Sequence, residues 1–195
     1  MTLYRPCREL FYVVFVLSST AEAAELPVRV GGPYKLLAAD STGNGHRDLA
    51  VGLHDLGMLT IEEGNGEGSF KHLAITPIRS GSGQEFVGGS FNLACGDLDG
   101  DGRMDLAVGC MGNFVLLARN TGDGRFESKG RFPTESDAKG VSLVDLDRDG
   151  RLDLLYTARG TGRVGDTATG RLYLRRGLGD WRFGDAVQRK AGISA

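Results

Sequence analysis

Three stretches of the chain repeat one another in phase, and that repetition leaves few folds open. Leu36 to Leu53 reads LLAADSTGNGHRDLAVGL, Leu93 to Cys110 reads LACGDLDGDGRMDLAVGC, and Val141 to Ala158 reads VSLVDLDRDGRLDLLYTA. Each is followed by an alternating apolar run and a glycine-rich turn that ends on an aromatic residue: Met58 to Phe70, Phe114 to Phe126 and Arg171 to Phe183. The acidic centres of the repeats begin at Asp40, Asp97 and Asp145, a period of 57 and then 48 residues. Repeats of this length mark architectures in which each unit buries its apolar faces only against its neighbours.

Within a unit the pattern predicts four short strands. An apolar strand enters the acidic loop, an Asp-Leu-Ala-Val-Gly type strand leaves it, a third strand alternates with period two, and a tight turn leads into the fourth. Those turns are of the type Asn65-Gly-Glu-Gly68 and Thr121-Gly-Asp-Gly124. The chain has 31 glycines but only 5 prolines, and the glycines punctuate β-type runs, which indicates tight turns and not disorder. Four-stranded units recurring at about 50 residues predict propeller blades. The expected fold is all-β: a partial β-propeller of about three blades, near residues 35–80, 92–137 and 140–190, within a repeat domain of 24–195.

The acidic loops predict a metal. In the second loop Asp97, Asp99, Asp101 and Asp105 stand at positions 1, 3, 5 and 9, and Arg103 at position 7 can offer its backbone carbonyl. Gly102 at position 6 allows the sharp turn that brings these oxygens together. Four carboxylates in one small volume repel one another unless a cation is present. An all-oxygen, flexible donor set suits calcium better than magnesium. The third loop repeats the pattern with Asp145, Asp147, Asp149, the Arg151 carbonyl and Asp153. The first loop is poorer: Asp40, Asn44, the His46 carbonyl and Asp48 remain, but Thr42 stands at position 3. A helical calcium loop is excluded, because it needs a Glu at position 12, where these loops have Val51, Val108 and Tyr156.

The run Asp97-LDGDGRMDLAVG with Thr121-GDGR-Phe126 resembles the FG-GAP/VCBS repeat, found in integrin α-subunit propellers and in many secreted bacterial proteins. The resemblance covers roughly residues 28 to 190. It implies propeller blades whose hairpin loops are braced by calcium, with the ligand bound elsewhere on the propeller. It implies a non-catalytic binding or adhesion module; related propellers in some polysaccharide lyases make a carbohydrate-active enzyme the alternative. Three blades do not close a propeller, which needs four to eight. A truncated remnant, further blades, or self-association of two chains into a six-bladed ring are the expectations that follow.

The N-terminus predicts export. Arg5 and Arg8 precede an apolar stretch from Leu10 to Leu17 and a small-residue site at Ala21-Glu-Ala23, so residues 1–23 read as a signal peptide. The protein is then expected to be secreted or at the cell surface, with a protein or carbohydrate ligand outside the cell. A formal net charge of -2 provides no basic field for nucleic acid. Cys95 and Cys110 can form a disulfide in that compartment or remain buried thiols. Among the three histidines, His46, His54 and His72, none has an evident catalytic partner in the sequence, and no nucleophile elbow, zinc-protease or phosphate-loop motif occurs. Trp181 and Tyr173 are expected in the core more than at a sugar-stacking surface. The insertions at Pro77 to Ser90 and Arg159 to Gly170 are expected to be tolerated neutral insertions more than ligand loops, for which they are the candidates.

Overall fold

The computed structural model describes residues 33–54, 57–77, 89–158 and 171–190. Residues 1–23, expected to be a signal peptide, and nearly all of both insertions lie outside the described residues. Strands β1 (Pro33–Ala39), β2 (Asp48–Leu53), β3 (Met58–Gly64) and β4 (Phe70–Pro77) form one antiparallel sheet in chain order. A second sheet consists of β5 (Ser90–Gly96), β6 (Asp105–Cys110), β7 (Phe114–Gly122) and β8 (Arg125–Pro133). The third contains β9 (Ala138–Val144), β10 (Asp153–Ala158), β11 (Arg171–Arg175) and β14 (Val187–Lys190). Here the final hairpin differs from the simple one expected: beyond Arg175 it continues as a separate pair, β12 (Gly177–Gly179) with β13 (Arg182–Phe183). The break is bridged by Gly184 N–H donating to the Arg176 carbonyl at 2.8 Å.

The same register recurs three times where it matters most. Ala39 pairs with Asp48, Gly96 with Asp105 and Val144 with Asp153, so each acidic loop is the hairpin connection between the first two strands of a sheet. A shared register of this kind is how a period-two pattern keeps one set of side chains on one face.

The sheets stack face to face, with the second between the other two. Along β7 the expected alternation is present, but both faces are buried. Phe114, Leu116 and Ala118 pack with Leu59 and Ile61 of the first sheet. Val115 and Leu117 pack with Ala138, Leu154 and Tyr156 of the third. Alternation therefore selects which neighbour a residue meets, and not core against water. Fully burying each such side chain is worth about 1.5–3 kcal/mol. The close approach depends on Gly109: a Cβ there would lie 2.6 Å from the Ala138 carbonyl oxygen. Phe132 and Phe183 complete the second junction edge to face, with ring centroids 5.4 Å apart. The three blade-like sheets do not form a closed ring among the described residues.

Cys95 and Cys110 are free thiols. They lie on adjacent strands, but Cys95 pairs with Leu106 and Cys110 with Ser90. Four residues of ladder therefore separate them, about 13 Å at strand rise, which is too far for a disulfide. Burial pushes the Cys110 thiol up to about 12.

Candidate metal centres

Each loop is folded by its own carboxylates. The first Asp collects backbone N–H groups from the turn: Asp40 accepts from Gly43 at 2.7 Å and Gly45 at 2.9 Å. Asp97 accepts from Gly100 at 2.7 Å and Gly102 at 2.8 Å, and Asp145 from Asp149 at 3.1 Å and Gly150 at 2.9 Å. The residue at position 5 accepts from the N–H at position 7: Asn44 from His46 at 2.7 Å, Asp101 from Arg103 at 2.9 Å, and Asp149 from Arg151 at 2.9 Å. That bond holds Asp101 below the usual carboxylate range. The turn is left-handed at positions 4 and 6, where φ is +79° and +83° at Gly100 and Gly102.

The ninth residue does something its type alone does not reveal. Asp48, Asp105 and Asp153 are all essentially buried; the first two tie their loops to the third strand and Asp153 ties its loop to β12, just beyond it. Asp105 accepts from Leu98 N–H at 2.9 Å with one oxygen and from Asn120 N–H at 2.9 Å with the other. Asp153 does the same with Leu146 at 3.2 Å and Gly177 at 2.8 Å. Asp48 accepts from Ser41, Thr42 and, at 3.0 Å, Gly64. Burial dominates the charge state of Asp105 and pushes it up to about 6, with the neighbouring Asp99 and Asp101 charges adding to the rise.

These restraints bring carboxylate oxygens together. Asp97, Asp99 and Asp105 place one oxygen each within 4.8 Å of one another, as do Asp145, Asp147 and Asp149. Asp101 and Asp153 belong to the same loops but turn toward other partners. The donor sets are oxygen only, which fits a hard divalent cation. In the first loop no such carboxylate trio converges among the described residues. There Thr42 Oγ1 is buried with no hydrogen-bond partner, so a free oxygen stands at position 3 beside Asp40 and Asp48.

Several loop partners are not evident from the loop sequences alone. Arg119 on β7 reaches Asp99 Oδ2 with Nε at 3.0 Å and Asp101 Oδ2 with Nη2 at 3.1 Å. Arg176 pairs with Asp147 in the third loop. At the matching place in the first sheet stands Glu63, 3.4 Å from the Asn44 side-chain amide. Aligning the segments Glu63 to Gly66, Arg119 to Gly122 and Arg176 to Gly179 as EGNG, RNTG and RGLG reveals this set, since each first residue directly precedes the N–H bound by the ninth Asp.

A family model of the FG-GAP-like repeat matches residues 40–108 and again 97–156, together more than half of the chain. The chain belongs to the FG-GAP-like repeat family. Each match runs from one acidic loop through the next, so it spans two successive loops and the strands between them. FG-GAP-like repeats form β-propeller-like modules that are typically non-catalytic and often bind or adhere. No curated protein matches the chain.

Beside the second loop lies a cleft of ≈ 640 Å³ between the second and third sheets, lined by Leu98, Met104, Leu152, Trp181 and Phe183 among others. Tyr173 is buried, stacks on Tyr156 at 4.9 Å and donates to Glu135 at 2.5 Å, so it is a core residue.

Proposed function

We propose that this FG-GAP-like repeat chain is an exported, calcium-stabilised binding or adhesion module without catalytic activity, and that calcium braces the hairpin loops of its blades. The observation that supports it most is the convergence of the Asp97 and Asp145 loops on oxygen-only clusters within one shared loop architecture. In this reading Asp97, Asp99, Asp101, Asp105 and the Arg103 carbonyl hold one ion. Asp145, Asp147, Asp149, Asp153 and the Arg151 carbonyl hold a second. The Asp40 loop, with Asn44, the His46 carbonyl and Asp48, is the weakest site. Bound there, the ion supplies charge neutralisation and loop rigidity; recognition of a protein or carbohydrate ligand falls to surfaces outside the loops. Export rests on the targeting pattern of residues 1–23, and it places the chain where calcium is millimolar and affinities of about 10⁻⁴–10⁻³ M suffice.

Thermal unfolding with calcium and with excess chelator tests the metal. At free calcium about 100 times the dissociation constant, each site adds about 2.7 kcal/mol. Chelator is expected to lower the melting temperature, Asp99→Ala and Asp147→Ala each to remove part of that difference, and Thr42→Ala to change it little. Identical curves with and without chelator would defeat the assignment.

A further inference from the structure

We propose that the residue facing each loop from the end of its third strand, or just beyond it, is a built-in charge regulator: Arg119 and Arg176 are tethered counter-cations that occupy the outer carboxylates of their loops, compete with a divalent ion and hold the metal-free loop folded. The proposal rests on the calcium reading above, but it concerns side chains that lie outside the loops.

Three observations carry it. The first is equivalence of position. Arg119, Arg176 and Glu63 each immediately precede the residue whose N–H bonds the buried ninth Asp: Asn120 at 2.9 Å, Gly177 at 2.8 Å and Gly64 at 3.0 Å. The backbone therefore delivers all three side chains to the same side of their loops. The second is contact. Arg119 bridges positions 3 and 5, with Nε 3.0 Å from Asp99 Oδ2 and Nη2 3.1 Å from Asp101 Oδ2. Arg176 binds Asp147, the position 3 residue, and lies 4.0 Å from Asp153 Oδ2. The position 3 carboxylate of both loops thus already forms an ion pair with a guanidinium, and in the second loop Asp101 at position 5 does so as well.

The third is compensation of charge. The two loops with four aspartates face an arginine, whereas the loop with two aspartates faces a glutamate. With their own Arg47, Arg103, and Arg148 and Arg151 counted, the loops 40–48, 97–105 and 145–153 carry formal charges of −1, −3 and −2; adding Glu63, Arg119 and Arg176 brings them to −2, −2 and −1. A sign change at this one position thus narrows the spread of formal charge among the three loops from two units to one. A fixed positive charge beside a divalent site repels the ion, and the guanidinium must leave its carboxylates before they can rotate onto the metal. Both effects weaken binding, and both relieve carboxylate repulsion when no metal is present. Arg119 keeps 32% of its side chain exposed, so it has solvent to move into when an ion arrives.

The test uses the full chain and calcium alone. Arg119→Gln is compared with wild type by calorimetric calcium titration and by melting in excess chelator. The expected result is an opposed pair of changes: about tenfold tighter calcium binding at one site, and a lower melting temperature without metal. Arg119→Lys, which keeps the charge but not the two-pronged contact, is expected to fall between. Arg119→Gln that folds only in calcium would also support the proposal. Calcium binding that is equally tight in wild type and Arg119→Gln overturns this inference while leaving the calcium assignment intact. An absence of calcium binding in both proteins overturns the assignment itself.

Discussion

The indole N–H of Trp181, in the turn between β12 and β13, donates to Asp99 Oδ2 at 3.2 Å. The third sheet thereby holds the loop of the second. A comparable link joins the first two sheets, where the Asn120 side-chain amide donates to the Ser41 carbonyl at 2.8 Å. Each link runs from a later sheet to the acidic loop of the sheet before it, so loop order and blade packing are coupled. Trp181 is the single tryptophan of the chain, and its emission is expected to change when calcium claims Asp99. A calcium titration followed by tryptophan fluorescence should saturate in wild type and respond far less in Asp99→Asn. The response should persist in Asp147→Asn, which leaves the Trp181–Asp99 hydrogen bond in place. A signal lost equally in both variants would sever the proposed link to the second loop.

Removing the buried ninth aspartate should cost stability even without metal. Asp105→Ala leaves the N–H groups of Leu98 and Asn120 without their acceptor. Orphaning two buried donors costs about 2–6 kcal/mol, at roughly 1–3 kcal/mol each. Denaturant unfolding in chelator measures this directly. A loss below about 1 kcal/mol would mean that the carboxylate serves a metal alone.

How much of this was legible beforehand varies from residue to residue. The repeat placed the loops between the first two strands of each unit, because Asp-Gly-rich turns flanked by apolar runs have few other solutions. It did not show that Asp48, Asp105 and Asp153 are buried ties, since one carboxylate can serve equally as metal ligand or backbone acceptor. Period two in β7 was legible, but its meaning was not. Val115 and Leu117 are as apolar as Leu116, and only the stacking order says which sheet each one meets. Trp181 sits at φ +62° after Asp180 at +51°, a left-handed pair without the glycine that normally marks such a turn. Its reach to Asp99 was hidden for that reason.

Arg148 gives a stabilising prediction. It occupies position 4 of the third loop at φ +62°, where the first two loops have Gly43 at +78° and Gly100 at +79°. A left-handed conformation costs a residue with a side chain about 1–2 kcal/mol, while glycine gives back about 0.5–1 kcal/mol through its freer unfolded chain. Arg148→Gly is expected to gain about 0.5–1 kcal/mol, seen as a higher denaturant midpoint at unchanged slope. An unchanged or lower midpoint would show that the arginine contributes more to its acidic loop than its backbone strain costs.

Tyr173 is expected to make stability depend on pH in the alkaline range. Burial, reinforced by its bond to Glu135, pushes its phenol up to about 12, above the ordinary tyrosine value near 10. Through that interval the unfolded chain releases the proton while the folded chain keeps it. The native state then binds more protons than the unfolded one, so the contribution of this group is complete below pH 10 and is lost as pH rises through 12. Tyr173→Phe keeps the ring stacked on Tyr156 but has no proton to lose. It should be less stable than wild type near pH 8, because Glu135 loses its partner, and the gap should narrow steadily between pH 10 and 12. Parallel unfolding curves across that range, with a constant difference between the two proteins, would show that the phenol ionises equally easily in the folded and unfolded chain.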